Sequence, residues 1–304
     1  MKPNSLLIEL YPGNSNTDNY IRLCNIAKIN YKRICVNISS GDRHPDKFRE
    51  CDINLDLSHI EEINQYIKKY SIGVVLTQWK RSHLESQLEK ISQQTVKPDY
   101  LVVYQNENHV DITDLKKKYD FIHVHSDHNT KYFGRFAYCF SLPVDICIVM
   151  DDDIIPGNNF IKNYAEECVN LNGIIGGNGR FGYLSPYKNK LQQPIDVGVR
   201  NITLKTDFVG HTWCFKKEWL KYMFGNIPFT YDTSEDMHFC FTSKLYGDIN
   251  SYTCKQLTVY DMCDTTYNSL ADDQYSAYKT TPRQLRIDVE KYWVEKGYSY
   301  VKEQ

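Results

Sequence analysis

Three consecutive aspartates, Asp151, Asp152 and Asp153, directly follow the apolar run at residues 146–150. Side chains two positions apart in extended backbone face the same way, so we expect Asp151 and Asp153 to converge while Asp152 points elsewhere. Two carboxylates this close repel each other unless a cation neutralises them, and oxygen ligands favour hard divalent ions such as Mg²⁺ or Mn²⁺. An isolated triplet is more commonly a solvated acidic turn. Its position favours a binding site, because ligands of parallel sheets lie beyond the carboxyl ends of the strands.

A second pair of carboxylates, Glu235 and Asp236, stands before a run in which Met237, Phe241 and Leu245 recur at helical spacing. In the first turn of a helix the dipole favours the ionised carboxylate, which is the form that a general base needs. The same pair also suits a purely structural role at a helix N-cap with a capping box. Catalysis and capping are therefore both open for this pair.

Histidine and aromatic side chains suggest a third group of site residues. An aromatic ring beside polar groups suits a sugar, because the apolar face of the sugar can stack while its hydroxyls need partners. His211 and Trp213 are therefore candidate acceptor-binding residues, where the acceptor is a hydroxyl-bearing molecule that would receive a transferred group. His211 or His238 is also a candidate for a further metal ligand, although a lone histidine is more commonly structural. The glycine-rich residues 176–180 lack the strand-to-helix context of a phosphate-binding loop, and they predict a close-approach loop on the acceptor side.

These residues need a sheet to position them, and from Ser71 onward short apolar runs alternate with helical stretches. This alternation is typical of an α/β fold whose mainly parallel central sheet is flanked by crossover helices. Strands are predicted at residues 73–76, 101–104, 121–124 and 146–150. Helical spacing relates two sets of apolar side chains, Leu84, Leu88 and Ile91 in one and Tyr132, Phe136 and Phe140 in the other.

The two ends of the chain differ from this central block. Residues 1–70 predict a small α/β appendage without a chemical motif, with strands at 6–10 and 34–38 and helices around residues 21–29 and after Ser58. A last helix begins at Pro282, buries one apolar stripe and ends near Gly297. Its stripe consists of Leu285, Val289 and Trp293. Residues 261–279 are polar and show no period, which predicts a loop and a candidate mobile lid.

The composition argues against several classes of partner. The 36 basic and 38 acidic residues nearly balance, so no global field attracts nucleic acid or an anionic membrane. The ten cysteines are scattered without zinc or redox spacing, which predicts reduced thiols. No signal-peptide pattern and no apolar run near the ~20 residues of a membrane span are present. We therefore expect a cytoplasmic protein, and the wealth of Asn, Ile, Lys and Tyr suggests an AT-rich bacterial or viral genome.

The order of these motifs resembles the GT-A glycosyltransferases, especially the family-2-type enzymes, whose Asp-any-Asp (DXD) motif ends a strand in this way. The resemblance covers roughly residues 71–250. VVLTQWKR at 74–81 is similar to the first nucleotide-binding segment of the family, and QNEN at 105–108 to its contact with the base. NTKYFGR at 129–135 resembles its basic stretch, and DDDIIPG at 151–157 resembles the DXD motif itself.

The resemblance implies a fold and a role for each matching residue. It implies a Rossmann-like GT-A catalytic domain over residues 71–304, with Mn²⁺ or Mg²⁺ bound by Asp151 and Asp153. It places six side chains around the donor, namely Thr77, Arg81, Glu107, Arg135, Asp151 and Asp152. It assigns removal of the acceptor proton to Asp236, with Glu235 as the fallback. The candidate lid at residues 261–279, which rests on the sequence pattern alone, would then cover the donor.

The implied reaction moves a sugar from a nucleoside diphosphate donor, a UDP-sugar by resemblance, to a hydroxyl of a glycan or other acceptor with inversion. Three other functions stay open. A retaining GT-A enzyme shares the metal motif, and a sugar-phosphate nucleotidyltransferase shares the sheet but would carry a glycine-rich signature that is missing near the first strand. The third is a carbohydrate- or nucleotide-binding module without turnover, against which the presence of both Asp153 and Asp236 argues. The oligomeric state is not predicted.

Overall fold

The computed structural model of the chain describes residues 5–11, 31–37, 53–56, 70–186, 198–266 and 269–301. The chain divides into two compact units, Met1–Lys69 and Tyr70–Gln304. In the described part no helix is long and apolar enough to cross a membrane.

The first unit contains a three-stranded parallel sheet in the order β1-β2-β3. Its strands are β1 Ser5–Tyr11, β2 Tyr31–Asn37 and β3 Ile53–Asp56. The strand expected at 6–10 lies within β1, and the one expected at 34–38 overlaps the second half of β2. Strand β3 was not predicted, because four residues carry too little pattern. The helices expected around residues 21–29 and after Ser58 lie outside the described residues.

The second unit is built on an eight-stranded sheet in the order β6-β5-β4-β7-β10-β8-β11-β9. The strands are β4 Ile72–Gln78, β5 Tyr100–Asn106, β6 Ile122–Ser126, β7 Ile146–Met150, β8 Ile174–Arg180, β9 Leu204–Thr206, β10 Phe208–Lys216 and β11 Ser251–Thr253. The four strands predicted from apolar runs are β4 to β7, and they form the parallel half of the sheet. Every residue of β7 is buried, as its continuous apolar sequence requires of a central parallel strand.

The prediction of a mainly parallel sheet is wrong, because the sheet is mixed. Strand β10 lies antiparallel between β7 and β8, and β9 lies antiparallel to β11. A continuous apolar run marks a strand that is buried on both faces, but it does not show the direction of the strand that pairs beside it. The central residues of β10, Gly210 to Thr212, are also not apolar, so the strand that joins the two halves of the sheet had no clear signal.

The glycine-rich residues 176–180 belong to strand β8 and not to a loop. Their predicted property of close approach is nevertheless present. A Cβ on Gly176 would lie 2.1 Å from Cβ of Val209 on β10, and a Cβ on Gly177 would lie 2.4 Å from Sγ of Cys263. Glycine is therefore required here by packing across the sheet.

Helices pack on the sheet, and two of them begin at or next to a candidate site residue, Gly134–Tyr138 at Arg135 and Glu235–Gly247 at Glu235. Their bounds are Leu84–Ser92, Thr113–Lys118, Gly134–Tyr138, Phe160–Leu171, Leu220–Phe224, Glu235–Gly247, Ala277–Thr280 and Arg283–Glu295, with 3₁₀ turns at Cys139–Ser141, Lys217–Trp219 and Ser269–Ala271. The first predicted apolar stripe is buried on helix Leu84–Ser92. The second is not one helix face, because the helix spans only Gly134–Tyr138 and Phe140 is 50% exposed.

The last helix follows the prediction closely. It runs from Arg283 to Glu295 after Pro282, and Gly297 beyond its end has φ +102°, a left-handed conformation that glycine adopts without strain. Val289 and Trp293 are buried against the core. The seven cysteines between Cys139 and Cys263 are all buried and free.

Replacing Gly176 with Ala should lower the free energy of unfolding by roughly 1–3 kcal/mol, the usual cost of overpacking a core, because the new methyl group overlaps Val209. The matched control is Gly210→Ala on the neighbouring strand, whose added Cβ would meet only Oδ2 of Asp236, at 4.0 Å. Chemical denaturation measures both variants. Equal stability of the two would contradict the packing described for β8 and β10.

Candidate active site

A cavity of about 770 Å³ lies beyond the carboxyl ends of β4 and β7, and we call it the site cavity. Most of the residues proposed from the sequence border it. They are Thr77, Arg81, Arg135, Asp151, Asp152, Asp153, His211, Trp213, Glu235 and Asp236. Two clusters of carboxylates that are far apart along the chain therefore face one space.

The three aspartates form a turn at the end of β7, here called the aspartate turn (Asp151–Asp153). The side-chain amide of Gln87 holds this turn, since its Nε2 donates to the carbonyl oxygens of Asp151 at 2.7 Å and Ile154 at 2.9 Å. The backbone N–H of Asp151 donates to the carbonyl of His211 at 3.0 Å. Both contacts fix the backbone of the turn, so the carboxylates are positioned before any ligand binds.

Two arginines neutralise the aspartate turn. Arg135 contacts Asp151 and, through Nη2, Oε1 of Glu235 at 3.0 Å. Arg81 contacts both Asp152 and Asp153, the latter at 3.1 Å. The expectation that Asp152 points away from the other two is wrong, because the chain leaves the extended conformation after Met150 and alternation ends there.

Burial disfavours the ionised forms of Asp153 and Glu235. Burial and the nearby Asp151 raise the pKa of Asp153 to about 8, although Arg81 acts in the opposite direction. Burial and the neighbouring Asp236 likewise raise the pKa of Glu235 to about 8, against the effect of Arg135. The negative charge of the site thus exceeds what the two arginines compensate.

The carboxylates of the aspartate turn are chemically suited to a hard divalent ion. Among the described residues no three His, Cys, Asp or Glu side chains already converge as a metal site. Mg²⁺, however, is commonly held by one or two carboxylates together with phosphate oxygens of the substrate. Asp151, Asp152 and Asp264 repel the negative charge of Asp153, and such an ion would offset this repulsion. Asp151 and Asp153 therefore remain the proposed ligands.

The surroundings of His238 exclude it as a ligand of a metal ion in the site cavity. Its Nε2 lies 2.7 Å from the carbonyl oxygen of Met223, and its ring packs between Phe133 and Trp293, away from the site cavity. His211 does border the cavity and has φ +67°, an uncommon conformation for a residue with a side chain. It sits where the pairing of β10 with β8 shifts register, an irregularity of the kind that re-aims a side chain beside a site.

Trp213 plays a different part from the one predicted. It is 2% exposed, its Nε1 donates to the carbonyl of Val209 at 2.8 Å, and its ring centroid lies 4.8 Å from the guanidinium of Arg135. Stacking on a sugar needs an exposed ring face, which Trp213 does not offer. Its contact with Arg135 is a cation–π interaction that helps to hold this buried cation in place.

Glu107 also differs from its predicted position against the nucleotide. Its carboxylate accepts a hydrogen bond from Nε1 of Trp79 at 3.0 Å and lies 3.2 Å from Nε2 of His109, and it does not border the site cavity. Trp79 does border it. The hydrogen bond from Trp79 to Glu107 therefore fixes the orientation of that ring.

Several cavity residues were missed in the sequence. Trp79 and Lys80 lie within the quoted segment VVLTQWKR, and an aromatic ring just after a strand was an available signal. The ammonium of Lys80 is 4.3 Å from the Trp79 ring centroid, and Tyr275 packs edge-on against the same ring. Arg180 and Arg286 also border the cavity. Arg180 ends the glycine-rich residues 176–180, but that pattern gave the arginine no role of its own. No motif marked Arg286, which only tertiary folding brings to the site.

The segment expected to be a lid does border the cavity. Residues 271 and 274–277 line it, and Asp273 receives two hydrogen bonds from Arg81, at 2.7 Å and 2.9 Å. Arg81 thereby connects this segment to the aspartate turn. Movement of the segment stays a prediction.

Comparison with known proteins gives little beyond this geometry. No protein-family model matches the chain, and no curated protein matches it. The chain is similar to S. aureus TarS 1–349 with a TM-score of 0.42 and 13% identity over 61% of the chain, and it spans 60% of that protein. It is similar to a nucleotidyl transferase from Methanothermobacter thermautotroptrophicus with a TM-score of 0.39 and 10% identity, covering 75% of this chain and 99% of the other. Both scores are below 0.5, so function is argued from the site alone.

The raised pKa of Glu235 predicts that stability falls as pH rises. A carboxyl whose pKa is about 8 when folded and 4.5 when unfolded stabilises the fold below pH 4.5, and this contribution is lost up to about pH 8. In metal-free buffer, Glu235→Gln should reduce the loss of unfolding free energy between about pH 5 and pH 8.5 by on the order of 1–3 kcal/mol. Denaturation at several pH values measures this loss, and parallel curves for variant and wild type would contradict it.

Proposed function

We propose that the second unit is a metal-dependent glycosyltransferase of the GT-A type, and that residues 1–69 form a separable appendage without catalytic groups. The proposed reaction transfers a sugar from a nucleoside diphosphate, a UDP-sugar, to an acceptor hydroxyl with inversion. One observation carries the proposal. A single cavity beyond the strand ends contains both the aspartate turn and the carboxylate of Asp236.

On this proposal the donor occupies the end of the cavity at β4 and β7. When bound by Asp151 and Asp153, Mn²⁺ or Mg²⁺ supplies positive charge for the diphosphate. Thr77 accepts a hydrogen bond from Arg135 at 3.2 Å and borders the same end of the cavity. Trp79, which Glu107 orients, offers the nucleotide an aromatic surface beside these polar groups.

Asp236 is better placed than Glu235 to be the general base. Glu235 is buried and its carboxylate is paired with Arg135. Asp236 is only partly buried, borders the cavity and accepts one hydrogen bond from the adjacent N–H of Met237 at 2.7 Å. Burial raises the pKa of Asp236, while the Met237 amide, Arg286 and Arg180 favour its ionised form. Its second oxygen can therefore accept a proton.

The proposed chemistry is a single displacement. Asp236 removes the proton from the acceptor hydroxyl as that oxygen forms a bond to the anomeric carbon of the donor sugar. The bond between the anomeric carbon and the phosphate oxygen breaks, and the nucleoside diphosphate leaves with the electron pair. The configuration at the anomeric carbon inverts because the oxygen enters opposite the leaving group.

Asp236→Asn should bind the donor normally while turnover falls by roughly 10²- to 10⁴-fold, the range expected for loss of a positioned base. Asparagine keeps the size of the side chain but cannot accept a proton at neutral pH. The matched control, Glu235→Gln, should lose less activity. The measurement is the rate of sugar transfer in the presence of Mn²⁺, with binding followed separately. An active Asp236→Asn beside an inactive Glu235→Gln would exchange the two roles, and retained product configuration would refute inversion.

Asp153→Ala should abolish the stabilisation of the protein by UDP-sugars with Mn²⁺, while the fold stays intact. A bound donor raises the melting temperature by mass action, so a thermal-shift screen of nucleotide sugars measures binding directly. Asp273→Ala is the control, because it removes another partner of Arg81 outside the aspartate turn. Unchanged donor binding by Asp153→Ala in the presence of EDTA would overturn the assignment of this ligand.

Two outcomes would point to the other functions. Release of pyrophosphate from a sugar phosphate and a nucleoside triphosphate would identify a nucleotidyltransferase. Donor binding without hydrolysis or transfer, across a panel of acceptors, would identify a binding module.

A further inference from the structure

Four arginines border the site cavity, and they fall into two pairs. Arg81 and Arg135 each contact at least two carboxylates. Within the described residues, Arg180 and Arg286 form no ion pair with any carboxylate. The first pair is neutralised by the protein itself, whereas the second presents positive charge to the cavity.

The guanidinium of Arg286 is held in place by neutral partners. Its Nη2 donates to the carbonyl oxygen of Ala277 at 2.7 Å, and its Nη1 lies 3.5 Å from the hydroxyl of Tyr183. A guanidinium has five N–H groups, so donors remain for a ligand. No acidic residue stands in the first turn of the helix that carries Arg286, and this turn therefore does not offset the charge.

Arg180 lies beside Asn178, a buried polar residue whose side-chain oxygen has no hydrogen-bond partner among the described residues. Asn178 and Arg180 are two positions apart on β8 and so share one face of the strand. Asn178 is 3% exposed and borders the cavity, and its Oδ1 is buried without a hydrogen-bond partner among the described residues. A buried amide oxygen without a partner is costly, and a ligand hydroxyl would satisfy it.

We propose that the acceptor is anionic, and that Arg180 and Arg286 bind its phosphate or carboxylate group while Asp236 deprotonates its hydroxyl. This inference rests on the proposed function, which assigns the end of the cavity at Asp236 to the acceptor. Guanidinium groups match the paired oxygens of a phosphate or carboxylate. The side-chain oxygen of Asn178 accepts a hydrogen bond from a further hydroxyl of the same molecule. Arg180 and Arg286 thus determine acceptor specificity.

The test measures binding of three small probes to protein saturated with UDP and Mn²⁺. Glycerol 3-phosphate, glycerate and glycerol share a three-carbon frame with hydroxyls and differ in the anionic group. Calorimetry should detect binding of glycerol 3-phosphate or glycerate and not of glycerol. The probe that binds more tightly shows whether the site prefers a phosphate or a carboxylate group. Arg286→Gln and Arg180→Gln should each weaken that binding by about tenfold or more, in line with loss of a charged hydrogen bond.

The control is Lys291→Gln, which removes one positive charge from an exposed position of the same helix and should leave binding unchanged. Equal binding of the three probes, no binding of any, or unaltered affinity in both arginine variants would overturn the inference. So would an equal loss of UDP binding in these variants, because the arginines would then serve the donor. Binding of UDP with Mn²⁺ to the wild-type protein is measured separately and tests the proposed function independently.

Discussion

Carboxylates that are ionised while buried at the end of a strand need positive charge beside them, and the rest of the site depends on this condition. The aspartate turn places the buried Asp152 and Asp153 and the half-buried Asp151 beyond β7, and Arg81 and Arg135 supply the compensating charge. Losing either cation would strand buried negative charge, which typically costs several kcal/mol. These ion pairs are thus needed for the stability of the fold, and they also belong to the candidate active site.

The arginines in turn require their own supports. Trp213 lies under the guanidinium of Arg135, and Glu235 contacts it from the start of the helix Glu235–Gly247. Arg81 extends the network to Asp273 in the segment that borders the cavity. Strand β7, strand β10, this helix and this segment are thereby joined through two side chains. Residues that looked like separate motifs in the sequence are parts of one electrostatic unit.

Much of the parallel half of the sheet could be predicted, because continuous apolar runs such as Ile146–Met150 mark buried strands. The aspartate turn and Asp236 could be predicted because regular elements stand beside them. The turn directly follows strand β7, and Asp236 lies in the first turn of the helix Glu235–Gly247. Three features could not be found in this way. Strand β10 was missed because its central residues, Gly210 to Thr212, are not apolar. Burial of Trp213 depends on its tertiary neighbours, and Arg286 joins the cavity only through folding of segments far apart in sequence.

The insertion of β10 between β7 and β8 has a consequence for the order of folding. The N–H of Asp151 is satisfied by the carbonyl of His211 on β10, so the aspartate turn is complete only after a strand from much later in the chain has docked. Pairings between such distant segments form slowly, because loop closure precedes the gain from contact. Nascent or partly folded chains that still lack β10 therefore have no formed site, and a ligand of the aspartate turn selects the fully assembled sheet.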